Sequence, residues 1–186
     1  MKPTVAKNRI TPKAAKRSSR TRRSDPTAEV IDLVPALLKL KSILVPIDFS
    51  ETSKKAVQYA VRLSEQFGSK ITLLHVVEPI ATPDLAYHPM MLETDKVKEA
   101  AKERLGGLSR QMKIPSRLLE KTLVRYGTPF AEITDAARSL KVDLIILTTH
   151  GYTGFKHVFM GSTAERVVRH APCPVLTVRE KEHEFV

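Results

Sequence analysis

The residues Val142-Asp143-Leu144-Ile145-Ile146-Leu147 form an apolar run broken by one acid. Such a run is too short for an ordinary buried helix and too continuous for a strand with one wet face, so it reads as a strand covered on both sides in a parallel sheet. It leads into Thr148-Thr149-His150-Gly151, small and polar, and ten residues after Gly151 the stretch Gly161-Ser162-Thr163-Ala164-Glu165 opens a helix. There Ser162 and Glu165 have the spacing of a capping box, and Val167 and Val168 begin an apolar face.

A parallel strand needs a crossover, and the rest of the chain supplies several. Ser42–Asp48 reads as a first strand ending near Pro46, followed by a helix Ser50–Phe67 with Ser50 as cap and Gly68 at its end. Lys70–Val77 is a second strand, parallel to the first because a helix joins them. Glu78–Met91 holds Pro79, Pro83 and Pro89 and reads as a long loop placed to act as a lid. A helix over about Leu92–Met112, weakened by Gly106-Gly107, leads to a third strand, Ser116–Tyr126. Thr128 and Pro129 then cap and open a helix Pro129–Leu140, and a fifth strand, Cys173–Val178, closes the series. The alternation predicts an α/β fold: a doubly wound, five-stranded, mostly parallel, Rossmann-like sheet.

The chain has 186 residues and a net charge of +11, and that charge is uneven. Residues 1–24 hold nine Lys and Arg and no acid, which leaves 22 bases against 20 acids for the remainder. This segment has too few apolar side chains to offset the entropy of ordering, so we expect a disordered basic arm, able to touch polyanions weakly. Residues 25–41 read as a linker, 42–179 as one globular domain, and 180–186 as a charged tail. No apolar run approaches a membrane span and no secretory segment is visible, so a cytoplasmic protein is expected. The lone cysteine, Cys173, lies between Pro172 and Pro174 and reads as a small buried hydrophobe.

Strand ends on the carboxyl edge of such a sheet bind ligands, and a helix start offers unpaired amides with a positive dipole end. Gly151, Gly161, Ser162 and Thr163 therefore form a phosphate seat, or else a plain capped helix without a ligand. Asp48 either accepts from a ribose hydroxyl or base amine or caps the helix that follows. His150 either donates to phosphate or is polar filler.

The spacing Thr148-x2-Gly151-x9-Gly161-Ser162 resembles the ATP-binding signature of the universal stress protein family, G-x2-G-x9-G-[ST], with Thr148 in place of the first glycine. Leu44–Ser50, Leu74–Val77 and Ala171–Leu176 resemble that family's opening, second and closing strand regions, over roughly Lys41–Arg179. The resemblance implies the HUP version of the Rossmann-like fold and bound ATP with Mg²⁺ on its phosphates. It implies Asp48 at the nucleoside, Val76 with the backbone of Pro46 and Ile47 around adenine, and Thr148 beside the phosphates. It further implies a homodimer paired through the last strand, Pro174–Val178, an edge that a monomer would leave open.

Nothing in the chain spells catalysis. It lacks G-x-S-x-G, H-E-x-x-H, D-F-G and a P-loop lysine, and its histidines have no metal spacing. The expected function is an ATP-binding regulatory module with little or no turnover. The alternatives are an interaction protein of the same fold without ATP, or a slow ATP hydrolase.

Overall fold

The computed structural model describes residues 39–79, 91–149 and 160–179, with the side chains of 91–94 left out. All lie in one unit, Lys39–Val186. The basic arm, most of the linker, the proline-rich loop over 80–90, His150, Gly151 and the tail fall outside the described residues.

The chain alternates β1 (Ser42–Pro46), α1 (Glu51–Phe67), β2 (Lys70–Val77), α2 (Met91–Gln111), β3 (Leu119–Tyr126), α3 (Pro129–Leu140), β4 (Leu144–Thr148), α4 (Ser162–His170) and β5 (Val175–Val178). The five strands form one sheet in the order β3-β2-β1-β4-β5, and every neighbouring pair is parallel. This is the doubly wound α/β fold.

Right-handed crossovers fix which face each helix covers. From β1 to β2 to β3 the chain steps one way, so α1 and α2 share a face; it then returns past β1 to β4 and β5, so α3 and α4 take the other. Side chains alternate accordingly. Ile43, Val45, Ile71, Leu73 and Ile146 pack with Ala56, Val57, Ala60 and Leu105. Leu44, Leu74, Ile145 and Leu147 pack with Ile133, Ala136, Ala164 and Val167. Ile145 is fully buried, and truncation to Ala there should cost about 2–5 kcal/mol.

Local chemistry sets the ends. Ser50 Oγ accepts from the Ser53 amide at 3.1 Å to start α1, and Gly68, at φ 70°, ends it by donating to the Ser64 carbonyl. The pair Gly106-Gly107 does not break α2, because buried Leu105 and Leu108 anchor that turn against the sheet. The third strand begins at Leu119 rather than Ser116, since the Pro115 carbonyl accepts from the Leu118 and Leu119 amides and makes a turn. At the amino edge of the sheet, Asp143 Oδ2 accepts from the Lys41 and Ser42 amides at 2.8 and 2.9 Å, which ties β1 to the start of β4.

The expected capping box of α4 is not formed. Gly161 is the N-cap and has no side chain to cap with, and Ser162 is the first residue of the helix. The Gly161 amide donates to the Thr149 carbonyl at 2.6 Å, and the helix starts at Ser162 as expected, with Gly161 rather than Ser162 in the capping place. Glu165 instead pairs with Arg169 at 2.8 Å.

Candidate functional site

Because the helices change face between β1 and β4, the chain leaves these two strands in opposite directions and opens a crevice at their carboxyl ends. A cleft of about 670 Å³ occupies that position, within the range of small-molecule sites. Its floor comes from the ends of β1, β2 and β4, and its walls from the first turns of α3 and α4.

Eight of the ten candidate residues line this cleft: Pro46, Ile47, Asp48, Val76, Thr148, Gly161, Ser162 and Thr163. His150 and Gly151 lie outside the described residues. Of the two roles considered for it, Asp48 serves the helix start, through Ser50. Its Oδ1 accepts from the Ser50 amide at 3.0 Å and from Ser50 Oγ at 2.6 Å, orienting the serine that caps α1, while the residue faces the cleft. Neither bond uses Oδ2. Thr148 ends β4 half-buried in the lining and leaves the cleft open.

The residue after Asp48 explains how that aspartate reaches its place. Phe49 has φ 63°, a left-handed conformation costly for a bulky side chain. Its ring is held between His75, with centroids 4.5 Å apart, and the Arg104 guanidinium, 4.0 Å from the ring centroid. His75 in turn shares a 2.7 Å hydrogen bond through Nδ1 with the Ile47 carbonyl, so it is a satisfied packing histidine, as its apolar strand implies. The turn from β1 into α1 is thus fixed by aromatic packing on the α1/α2 side.

At the opposite wall, the Gly161 amide is spent on Thr149. The amides of Ser162, Thr163 and Ala164 follow in the first turn, where a helix has no internal acceptor for them. With a glycine as its N-cap, that turn lines the cleft with its amides and the positive end of its dipole. Acceptors on one side and open amides on the other suit a ligand with hydroxyls at one end and an anion at the other. Among the described residues, no His, Cys, Asp or Glu side chains gather as a metal site.

The wall from α3 was not read from the sequence. Thr128, Pro129, Phe130 and Ile133 line the cleft, as do Glu78 and Arg166. The signal was available: Gly127-Thr128-Pro129 leaves the carboxyl end of β3, the same edge as the other loops. What it lacked was the strand order, which brings α3 back across β2 and β1.

The family model described as the universal stress protein family matches residues 39–179. The chain belongs to the universal stress protein family. It is 32% identical over 150 residues to universal stress protein MJ0531 of Methanocaldococcus jannaschii, an alignment covering 77% of this chain and 85% of that one. The solved universal stress protein UspA from Lactobacillus plantarum is 30% identical with a TM-score of 0.66, over 76% of this chain and 99% of that one. A universal stress protein solved in complex with cAMP is 18% identical with a TM-score of 0.55, over 76% of this chain and 98% of that one, a likeness of fold alone. The cleft of this chain lies at the switch point of its sheet, and among the described residues no helix is long and apolar enough to cross a membrane.

Proposed function

We propose that this universal stress protein binds ATP in the β1/β4 cleft as a regulatory module with little or no turnover. The observation that carries the reading is the start of α4, with glycine as its N-cap, facing a cleft whose other end holds Asp48. The triphosphate lies against the Ser162–Ala164 amides and the hydroxyls of Ser162 and Thr163, where backbone donors bind phosphate by geometry. The nucleoside lies toward Asp48, Val76 and the backbone of Pro46 and Ile47; His150 and Gly151, outside the described residues, belong to this reading through the family signature alone. Mg²⁺ accompanies the phosphates of the bound ATP in this reading.

Occupancy is coupled to the edge of the sheet. Thr149, whose carbonyl anchors the start of α4, donates its amide to the Val178 carbonyl at 3.0 Å, at the end of the edge strand β5. A ligand that orders the first turn of α4 therefore also orders the strand through which a second copy pairs. The test is mass spectrometry of nucleotide released from the purified full chain: adenine nucleotide in near-stoichiometric amount supports the reading.

A second reading is favoured by one residue. Thr148 places a side chain in the lining where the family signature has glycine, which suits an interaction protein of this fold that has lost ATP. Thr148→Gly separates the two. Binding that appears only in the glycine variant supports the second reading; binding in both supports the first.

A further inference from the structure

The described lining of the cleft carries charge in an ordered way. Its two carboxylates, Asp48 and Glu78, follow the ends of β1 and β2, whereas its one described cation, Arg166, stands on α4. Arg166 lies four residues after Ser162 and three after Thr163, on the helix face that those two residues share with the cleft. Its guanidinium carbon is 5.1 Å from the centroid of the Phe130 ring, at the first turn of α3, so the side chain reaches across between the two helices. The neighbouring acid does not claim it. Glu165 pairs with Arg169, and among the described residues Arg166 forms no ion pair. A guanidinium placed over an aromatic ring is partly ordered before an anion arrives, and it is the group best shaped to grip phosphate oxygens.

We infer that Arg166 is the residue by which this cleft counts phosphates, giving nucleoside triphosphates an advantage over monophosphates and nucleosides. The inference rests on the nucleotide reading above. The helix amides supply a local seat for one phosphate group, because their dipole effect fades within a turn. A full charge carried on a long side chain adds attraction that grows with the charge of the ligand. Phe130 serves as a positioning residue that keeps the guanidinium over the cleft.

The experiment is a set of calorimetric titrations of the full chain with ATP, ADP, AMP and adenosine at fixed salt, on the unaltered protein, Arg166→Gln and Arg166→Lys. Arg166 is exposed, so neither change removes a core contact. Arg166→Gln should weaken ATP about tenfold or more, AMP by less, and adenosine hardly at all. Arg166→Lys should recover part of the ATP affinity, since it keeps the charge and loses the fork. An equal loss for all four ligands, or an unchanged ratio of ATP to AMP affinity, overturns the assignment of Arg166 while leaving the nucleotide reading in place. Absence of binding by the unaltered protein to every one of these ligands overturns both.

Discussion

The Gly161 amide donates to the Thr149 carbonyl at 2.6 Å, and a Cβ built on Gly161 would meet that same oxygen at 3.1 Å. Gly161 has φ −64° and ψ 148°, a conformation open to any residue, so glycine is favoured there by closeness rather than by backbone torsion. Through Thr149, whose amide bonds the Val178 carbonyl, this contact joins the start of α4 to the end of β5.

Replacement of Gly161 by Val should therefore push α4 away from β4. Loss of one well-made hydrogen bond and a tight contact corresponds to about 1–3 kcal/mol of stability. ATP affinity should fall by about tenfold or more, because the donors of the first turn move with the helix. Thermal unfolding and calorimetric titration check the two effects; a variant that binds ATP as the unaltered protein does would show that the α4 start is not the phosphate seat.

Asp143 gives the matching control from the other end of the sheet. Its Oδ2 accepts from two backbone amides, Lys41 and Ser42, at 2.8 and 2.9 Å. Asp143→Ala leaves both donors without that acceptor and should lower stability by about 1–3 kcal/mol in urea unfolding. Nucleotide affinity should stay within about twofold of the original, because the change is at the amino edge and the cleft at the carboxyl edge. A large loss of affinity would mean that the site extends where no lining residue lies.

Much of the fold was legible in the sequence, for reasons that particular residues make plain. The strand Lys70–Val77 and the helix Pro129–Leu140 are found at the expected bounds, one set off by Gly68 and the other opened by Pro129. Failures came where an end depends on a partner distant in the chain. Ser162 has the spacing of a capping residue, but the Thr149 carbonyl takes the Gly161 amide, and that meeting depends on sheet topology. The start of β3 shifted to Leu119 because Pro115 makes a turn that the apolar pattern alone does not show. In the cleft, strand ends could be named from the sequence, while Phe130 and Arg166 required knowledge of which face α3 and α4 share.

The edge strand β5 yields a prediction about assembly. Pro174 and Val178 turn their carbonyls toward β4, as the bonds from Ile145 and Thr149 at 3.1 and 3.0 Å show. By the alternation of a strand, the backbone groups of Val175 and Thr177 face the open edge. Thr177→Pro removes an outward donor without touching the β4 ladder, so a dimer formed through this edge should dissociate. Sedimentation at micromolar concentration should show dimer for the unaltered chain and monomer for the variant; a monomer in both cases would remove β5 from the assembly.

Cys173 should be a poor nucleophile. Partial burial raises its thiol above the ordinary value, the Asp143 carboxylate adds to the rise, and a backbone hydrogen bond with Ile145 opposes it. Alkylation by iodoacetamide at neutral pH should run slower than for free cysteine. The folded chain holds this proton to higher pH than the unfolded one. The associated stability is thus intact below the ordinary thiol range and lost as pH rises through the folded value. Denaturation midpoints measured from neutral to alkaline pH should show that decline, and reaction faster than free cysteine would contradict the burial.

The most direct measurement is a calorimetric titration of magnesium-ATP into the full chain freed of bound nucleotide. One ATP per chain with a micromolar or tighter dissociation constant is expected, weakened by Gly161→Val and little changed by Asp143→Ala. No binding at millimolar ATP by a folded protein would contradict nucleotide recognition in the β1/β4 cleft.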